Sequence, residues 1–413
     1  LGGAAAPATE LPPLPPEITT PHTLELPGRG VLPGRTLHFA ATAGTLRLRD
    51  EGGAPEADIA FIALQLDGAN RTRRPVTFVL NGGPGVASGW LQVGAVGPWR
   101  IPLGADATAP SASPAPMPNA DTWLDFTDLV FIDPAGTGYS RLLGDRDAER
   151  RRLWSVQGDI DSLARTIRLW LDRNGRVASP KYILGESYGG FRAPRLASAL
   201  QTDQGIGVAG LILISPALDL GGRSGVLDPL AIAERLPTMS AAARARKGPV
   251  TREQVADAEQ YAGGEYVVEL LRGERDTASI ARRSERVAAL TGLDPALVRR
   301  YHGEVTGREF VHERDRAQGR VGSLYDATVT GPDPFPLTPF STYSEPLTEA
   351  LKAPVSSAME MIYADELHWR PDALYQLWND DVGRRGDWGR SRVRPESLTA
   401  WRLRWRSMRA CRC

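Results

Sequence analysis

Cysteine is nearly absent from this chain. Among 413 residues only Cys411 and Cys413 occur, both at the very end. No disulfide can staple the interior, so a fold built on a disulfide framework is excluded. Cysteine usage thus permits export without supporting it. Lysine is almost as scarce: Lys181, Lys247 and Lys352 are the only ones, and arginine supplies the rest of the basic side. With abundant Ala, Gly and Pro, this reads as coding bias. Net charge is lacking too. Lys and Arg together number 49, as do Asp and Glu, so nothing asks for nucleic acid or an anionic membrane surface as partner. No apolar run reaches about eighteen residues, so no membrane span is expected. No internal repeat is evident. The length suits one large domain with an insertion, or two domains.

What is present begins with Lys181-Tyr-Ile-Leu-Gly-Glu-Ser187-Tyr-Gly-Gly190. A short apolar strand meets a glycine-flanked turn, and a helix is expected from Phe191 to Leu200 with Pro194 in its first turn. Gly185 and Gly189 let the chain reverse tightly, which holds the Ser187 hydroxyl at the top of a parallel sheet. Such an elbow points to acyl transfer through a serine ester. A lone G-x-S-x-G is otherwise a glycine-rich loop with an incidental serine. A second motif, Asn81-Gly-Gly-Pro-Gly85, breaks the strand Pro75–Leu80. Taken alone it is an ordinary strand-ending turn. Its bare glycine N–H groups also suit an oxyanion hole. Between the two lies the strand Leu129–Ile132, followed by Asp133-Pro-Ala-Gly-Thr-Gly-Tyr-Ser140.

In order and spacing these three motifs resemble the serine carboxypeptidase family of α/β hydrolases, over roughly residues 35 to 400. The Thr330-Gly-Pro-Asp-Pro334 and Val382-Gly-Arg-Arg-Gly-Asp-Trp-Gly389 stretches, with the few cysteines, suggest the bacterial type. The resemblance implies a mostly parallel, doubly wound sheet with its site at strand C-termini. It implies hydrolysis of peptide or protein C-termini without metal or cofactor, in an exported protein. By the same resemblance Ser187 is the nucleophile, and the N–H groups of Gly83 and Tyr188 form the oxyanion hole. Asn81 and Glu186 match the positions that bind a peptide's terminal carboxylate; otherwise they hold the turns they begin. Glu186 can face a carboxylate only if the pair shares a proton, which favours acidic pH.

Two departures stand out. Relatives carry a second glutamate where Ala95 stands here, which puts strict carboxypeptidase specificity in question. The triad should continue with an Asp and then a His on late strands, yet no comparable β run follows Ile214. After Ser187 the histidines are His302, His312 and His368. All three read as surface or insertion histidines. An esterase or acyltransferase on the same scaffold, or a non-catalytic relative, remains open.

The organisation follows. Residues 1–20 form a disordered Pro/Ala-rich lead-in. It is either a mature start after signal removal or an incomplete one. Residues 21–218 form the first part of the core, with early strands near 36–50 and 58–66 and a helix from Ser155 to Asn174. A helical cap insertion is expected over 219–345 and a return to the core over 346–400. Residues 401–413 hold five Arg and two Trp. They read as an aberrant basic tail from a frameshift, with the last strands of the sheet missing; the other reading is a genuine amphipathic tail.

Overall fold

The computed structural model describes residues 13–28, 30–31, 33–102, 115–144, 146–218, 220, 228–337 and 345–389. The basic tail and the inferred truncation therefore lie outside the described residues. The described residues divide into two compact units, one within 13–102, 115–220 and 352–389, the other within 228–351.

The first unit is built on a sheet. Its strands are β1 (Ile18–Leu26), β2 (Arg35–Arg49), β3 (Pro55–Leu66), β4 (Val76–Leu80), β5 (Asp128–Ile132), β6 (Lys181–Glu186) and β7 (Gly210–Ile214). Their spatial order is β1-β2-β3-β5-β4-β6-β7, and Arg141–Leu142 also pairs with β3. The pairings from β1 through β5 are antiparallel. Those joining β5, β4, β6 and β7 are parallel. In β4 and β5 every residue is buried, as continuous apolar runs in a parallel sheet covered on both faces should be.

Two helices flank these strands. In α1 (Val156–Arg173), Ser155 caps the N-terminus by accepting from Gly158 N at 3.0 Å, which satisfies one orphan amide of the first turn. Ile160, Leu163, Ile167, Trp170 and Leu171 are buried in the sheet's core cluster, a helical stripe facing the strands. α2 (Tyr188–Thr202) starts directly at the elbow, because the Ser187 carbonyl already accepts from Gly190 N.

Several sequence expectations need correction. Pro194 lies in the interior of α2 and not in its first turn; the helix begins three residues earlier than the apolar pattern implied. It leaves the Gly190 carbonyl without its helical donor. β1 begins at Ile18, inside the stretch expected as lead-in, and pairs with β2 along its whole length. β7 is the outermost strand on its side: no described strand pairs with its far edge, and Leu213 is 36% exposed.

The second unit is mainly helical, with α3 (Leu236–Ala245), α4 (Thr277–Thr291) and α5 (Gly307–Glu313) among its elements. Leu236, Met239, Tyr266, Val287, Val298 and Phe310 share its core. One small hairpin, Arg320–Gly322 with Thr330–Pro332, interrupts the helical pattern. No helix among the described residues is long and apolar enough to cross a membrane.

Candidate active site

Ser187 is the single residue between β6 and α2. Its φ of 56° and ψ of −118° put a non-glycine residue in backbone space that L side chains rarely occupy. Main-chain hydrogen bonds hold it there: its N–H donates to Ile214 O at 3.0 Å, and its carbonyl accepts from Gly190 N at 2.9 Å, Ala217 N at 3.0 Å and, more weakly, Phe191 N at 3.4 Å. The turn is as tight as its glycines suggest. A Cβ on Gly185 would stand 2.1 Å from the Gly189 oxygen.

The glycine-rich turn after β4 lies against this elbow. A Cβ on Gly82 would come within 2.7 Å of Tyr188 N and 2.8 Å of Ser187 Cβ. The Gly82 N–H is directed to the Glu186 carboxylate. Gly83, next along, is exposed with φ of 102°. Tyr188, by contrast, is buried, with 1% of its surface exposed.

Asn81 and Glu186 meet directly, with Asn81 Nδ2 donating to Glu186 Oε2 at 3.2 Å. The Asn81 side-chain oxygen accepts from Leu91 N at 3.0 Å. Burial raises the Glu186 pKa, and the hydrogen bonds from Asn81 and the Gly82 amide oppose that rise. The site therefore holds a carboxyl group biased toward its neutral form. Ala95 is exposed in the π-helical segment Gln92–Val96, and its carbonyl accepts from Asn119 Nδ2 at 2.9 Å.

Sequence reasoning missed the scaffold behind these groups. Arg192, in α2, is 1% exposed. It donates to both Asp159 oxygens, at 2.7 and 3.2 Å, and to Asn81 O at 2.7 Å. Its guanidinium also sits 4.9 Å from the Tyr188 ring centroid. The available signal was an arginine within the apolar run Phe191-Arg-Ala-Pro-Arg-Leu.

Histidine is not brought to Ser187. The sequence contains five, His22, His38, His302, His312 and His368, and none hydrogen-bonds the serine. His368 is exposed and neighbours His22 on β1, with four strands between β1 and β6. In the second unit, His302 is exposed near Glu274, at 3.8 Å. His312 is buried between Glu313, at 3.1 Å, and Asp333, at 3.4 Å.

The family model described as serine carboxypeptidase matches residues 41–221, which hold the glycine-rich turn, β5 and the elbow. This segment is similar to the serine carboxypeptidase family. Pheromone-processing carboxypeptidase KEX1 of Yarrowia lipolytica is 33% identical over 148 residues, 34% of this chain and 22% of that protein. Serine carboxypeptidase-like 25 of Arabidopsis thaliana is 33% identical over 132 residues, 31% of this chain and 25% of that protein. The chain thus spans about a quarter or less of these curated relatives' length. They are fungal and plant proteins and lend no support to the expected bacterial type. The crystal structure of a prohormone-processing carboxypeptidase from Saccharomyces cerevisiae superposes with a TM-score of 0.54 at 15% identity, covering 89% of this chain and 71% of that one. This likeness shows the α/β-hydrolase fold for this chain.

Proposed function

We propose that this chain is a serine-type carboxypeptidase-like hydrolase acting on peptide C-termini through a serine acyl-enzyme. The observation that carries the reading is the strained Ser187 backbone at the strand-to-helix junction, with the Gly82 turn packed on it. In this reading Ser187 Oγ attacks the last peptide carbonyl carbon, and the Gly83 and Tyr188 N–H groups receive the oxyanion. The C–N bond breaks, the departing amine takes the proton given up by the Ser187 hydroxyl, and water then adds its OH to the acyl carbon while its other proton returns to Ser187 Oγ. Asn81 and a neutral Glu186 take the substrate's terminal carboxylate.

Relatives named for pheromone and prohormone processing support peptide substrates, and an exported location belongs to the same proposal. Slow turnover belongs to it as well. A serine without a base stays a neutral alcohol, a poor nucleophile, and none of the five histidines hydrogen-bonds Ser187.

A second reading, an esterase or acyltransferase, is favoured by one observation: alanine stands at position 95, so Glu186 lacks the paired carboxyl group expected there. Peptides with free and with amidated C-termini separate the two, using Ser187→Ala as the blank. Release of amino acid from the free form only supports the carboxypeptidase. Equal cleavage of both, or of simple esters alone, favours the second reading. No Ser187-dependent turnover and no serine labelling by a phosphonate would leave a non-catalytic relative that binds peptide ends.

A further inference from the structure

Asp133 directly follows β5 and is 4% exposed. Its Oδ1 accepts from Ser88 N at 2.9 Å and lies 3.4 Å from the Tyr375 hydroxyl. The Tyr139 amide faces it as well. Around it stands a buried aromatic group, with Tyr139 ring centroids 4.9 Å from Tyr363, 5.2 Å from Tyr375 and 5.6 Å from Trp369. The titratable groups facing this cluster are Tyr139, Tyr363, Tyr375 and Glu360. No described arginine or lysine pairs with Asp133. An ionised carboxylate here would have one short amide hydrogen bond and no cation, an expensive arrangement in an apolar site. Burial accordingly pushes its pKa up to about 7.

The same carboxyl group stands where three segments join. Ser88 Oγ lies 2.5 Å from Ile132 O and 3.1 Å from Val79 O, bridging the ends of β5 and β4. Asn379 N donates to Gly85 O at 2.8 Å, and Ala87 N to Leu377 O at 3.0 Å. Gly138 and Gln376 exchange main-chain hydrogen bonds at 2.8 and 3.0 Å. Residues 375–379 thus clamp both the turn that packs on Ser187 and the loop after β5, and Asp133 contacts every one of these pieces.

We propose that Asp133, in its neutral form, is a positioning residue for the Gly82–Ser88 turn, and that its ionisation loosens the turn from the elbow. The catalytic meaning of this role rests on the acyl-transfer reading of Ser187; the coupling of Asp133 to the turn does not. Near neutral pH the device would tune how well the turn's amides face the serine.

The test is hydrogen exchange of the full chain, read on peptides covering residues 82–88 and corrected for intrinsic rates, from about pH 5.5 to about pH 8.5. In the wild type, exchange should accelerate about ten-fold across neutrality. In Asp133→Asn, which keeps an oxygen for Ser88 N–H but cannot ionise, it should stay flat. Tyr375→Phe removes a donor to the ionised form, so the midpoint should move to higher pH. Phosphonate labelling of Ser187, as the ratio of Asp133→Asn to wild type, should rise with pH in parallel. Flat exchange in the wild type, or the same rise in Asp133→Asn, overturns the proposal even where Ser187 labels. If Asp133→Asn does not fold, an unmoved midpoint in Tyr375→Phe overturns it. Absence of labelling in every form at every pH overturns instead the acyl-transfer reading and the catalytic meaning given to Asp133.

Discussion

Arg192 Nη1 donates to the main-chain oxygen of Asn81 at 2.7 Å, across 111 residues of sequence. The helix that follows Ser187 thereby holds the end of the strand that precedes Gly82. The guanidinium is also paired with Asp159, whose side chain is 5% exposed. The two glycine-rich turns are thus referred to one buried ion pair.

Breaking that pair from one side should be costly. Arg192→Met leaves Asp159 buried and unpaired and strips Asn81 O of a donor, so stability should fall by about 3–5 kcal/mol. Arg192→Met combined with Asp159→Leu should be less destabilised than Arg192→Met alone, because no uncompensated charge remains. Denaturant melts of the two variants measure the difference. A double variant at least as unstable as the single one would mean that the ion pair itself stabilises the fold.

Gly82 should tolerate no side chain. In Gly82→Ala the new methyl would meet Glu186 O and Tyr188 N at 2.7 Å, both main-chain atoms that cannot rotate away. Separating the turn from the elbow should cost about 1–3 kcal/mol and cut phosphonate labelling of Ser187 by about ten-fold or more. The second-order labelling rate is the measurement. Wild-type labelling in Gly82→Ala would show that the turn contributes nothing to the reacting geometry.

Stability should decline as pH rises from about 4 to about 7 through Asp133. Its folded pKa of about 7 lies above the ordinary 3.8, so the folded state holds the proton more tightly than the unfolded chain. The contribution is whole below the unfolded value and is lost as pH rises through the folded one, by on the order of 4 kcal/mol at most. Subtracting the pH–stability curve of Asp133→Asn from that of the wild type isolates this slope. A flat difference curve would place the proton elsewhere.

Glu186 should make carboxylate binding acid-favoured. Burial raises its pKa against the bonds from Asn81 and Gly82, and a neutral Glu186 can donate to a substrate carboxylate where an ionised one repels it. Calorimetric affinity of Ser187→Ala for a free C-terminal peptide should strengthen as pH falls. Adding Glu186→Gln should flatten that dependence, since the amide donates at every pH. An amidated peptide should bind without pH dependence in either form.

Much of the site was legible along the chain because its demands are local. A serine between Gly185 and Gly189 at the end of a β-prone run can do little but turn sharply, and the chain turns there between β6 and α2. The lead-in was misread where β1 begins, because Ile18–Leu26 alternates exposed and buried residues and is a strand only through its pairing with β2. Pro194 was misplaced for a similar reason. A proline usually marks a first turn, yet here the carbonyl of Ser187 had already started the helix.

The sequence by itself determined the family's motifs, the strand-to-helix elbow and the bare glycine turn, all set by backbone sterics within a few residues. Only the tertiary structure decided which distant groups serve them. Asp133 reaches Ser88 across 45 residues and Tyr375 across 242, and neither pairing has a local signature. Adjacent parallel strands bring their C-terminal ends together whatever their separation along the chain, and burial there turned an aspartate in a turn motif into a proton-sensitive support.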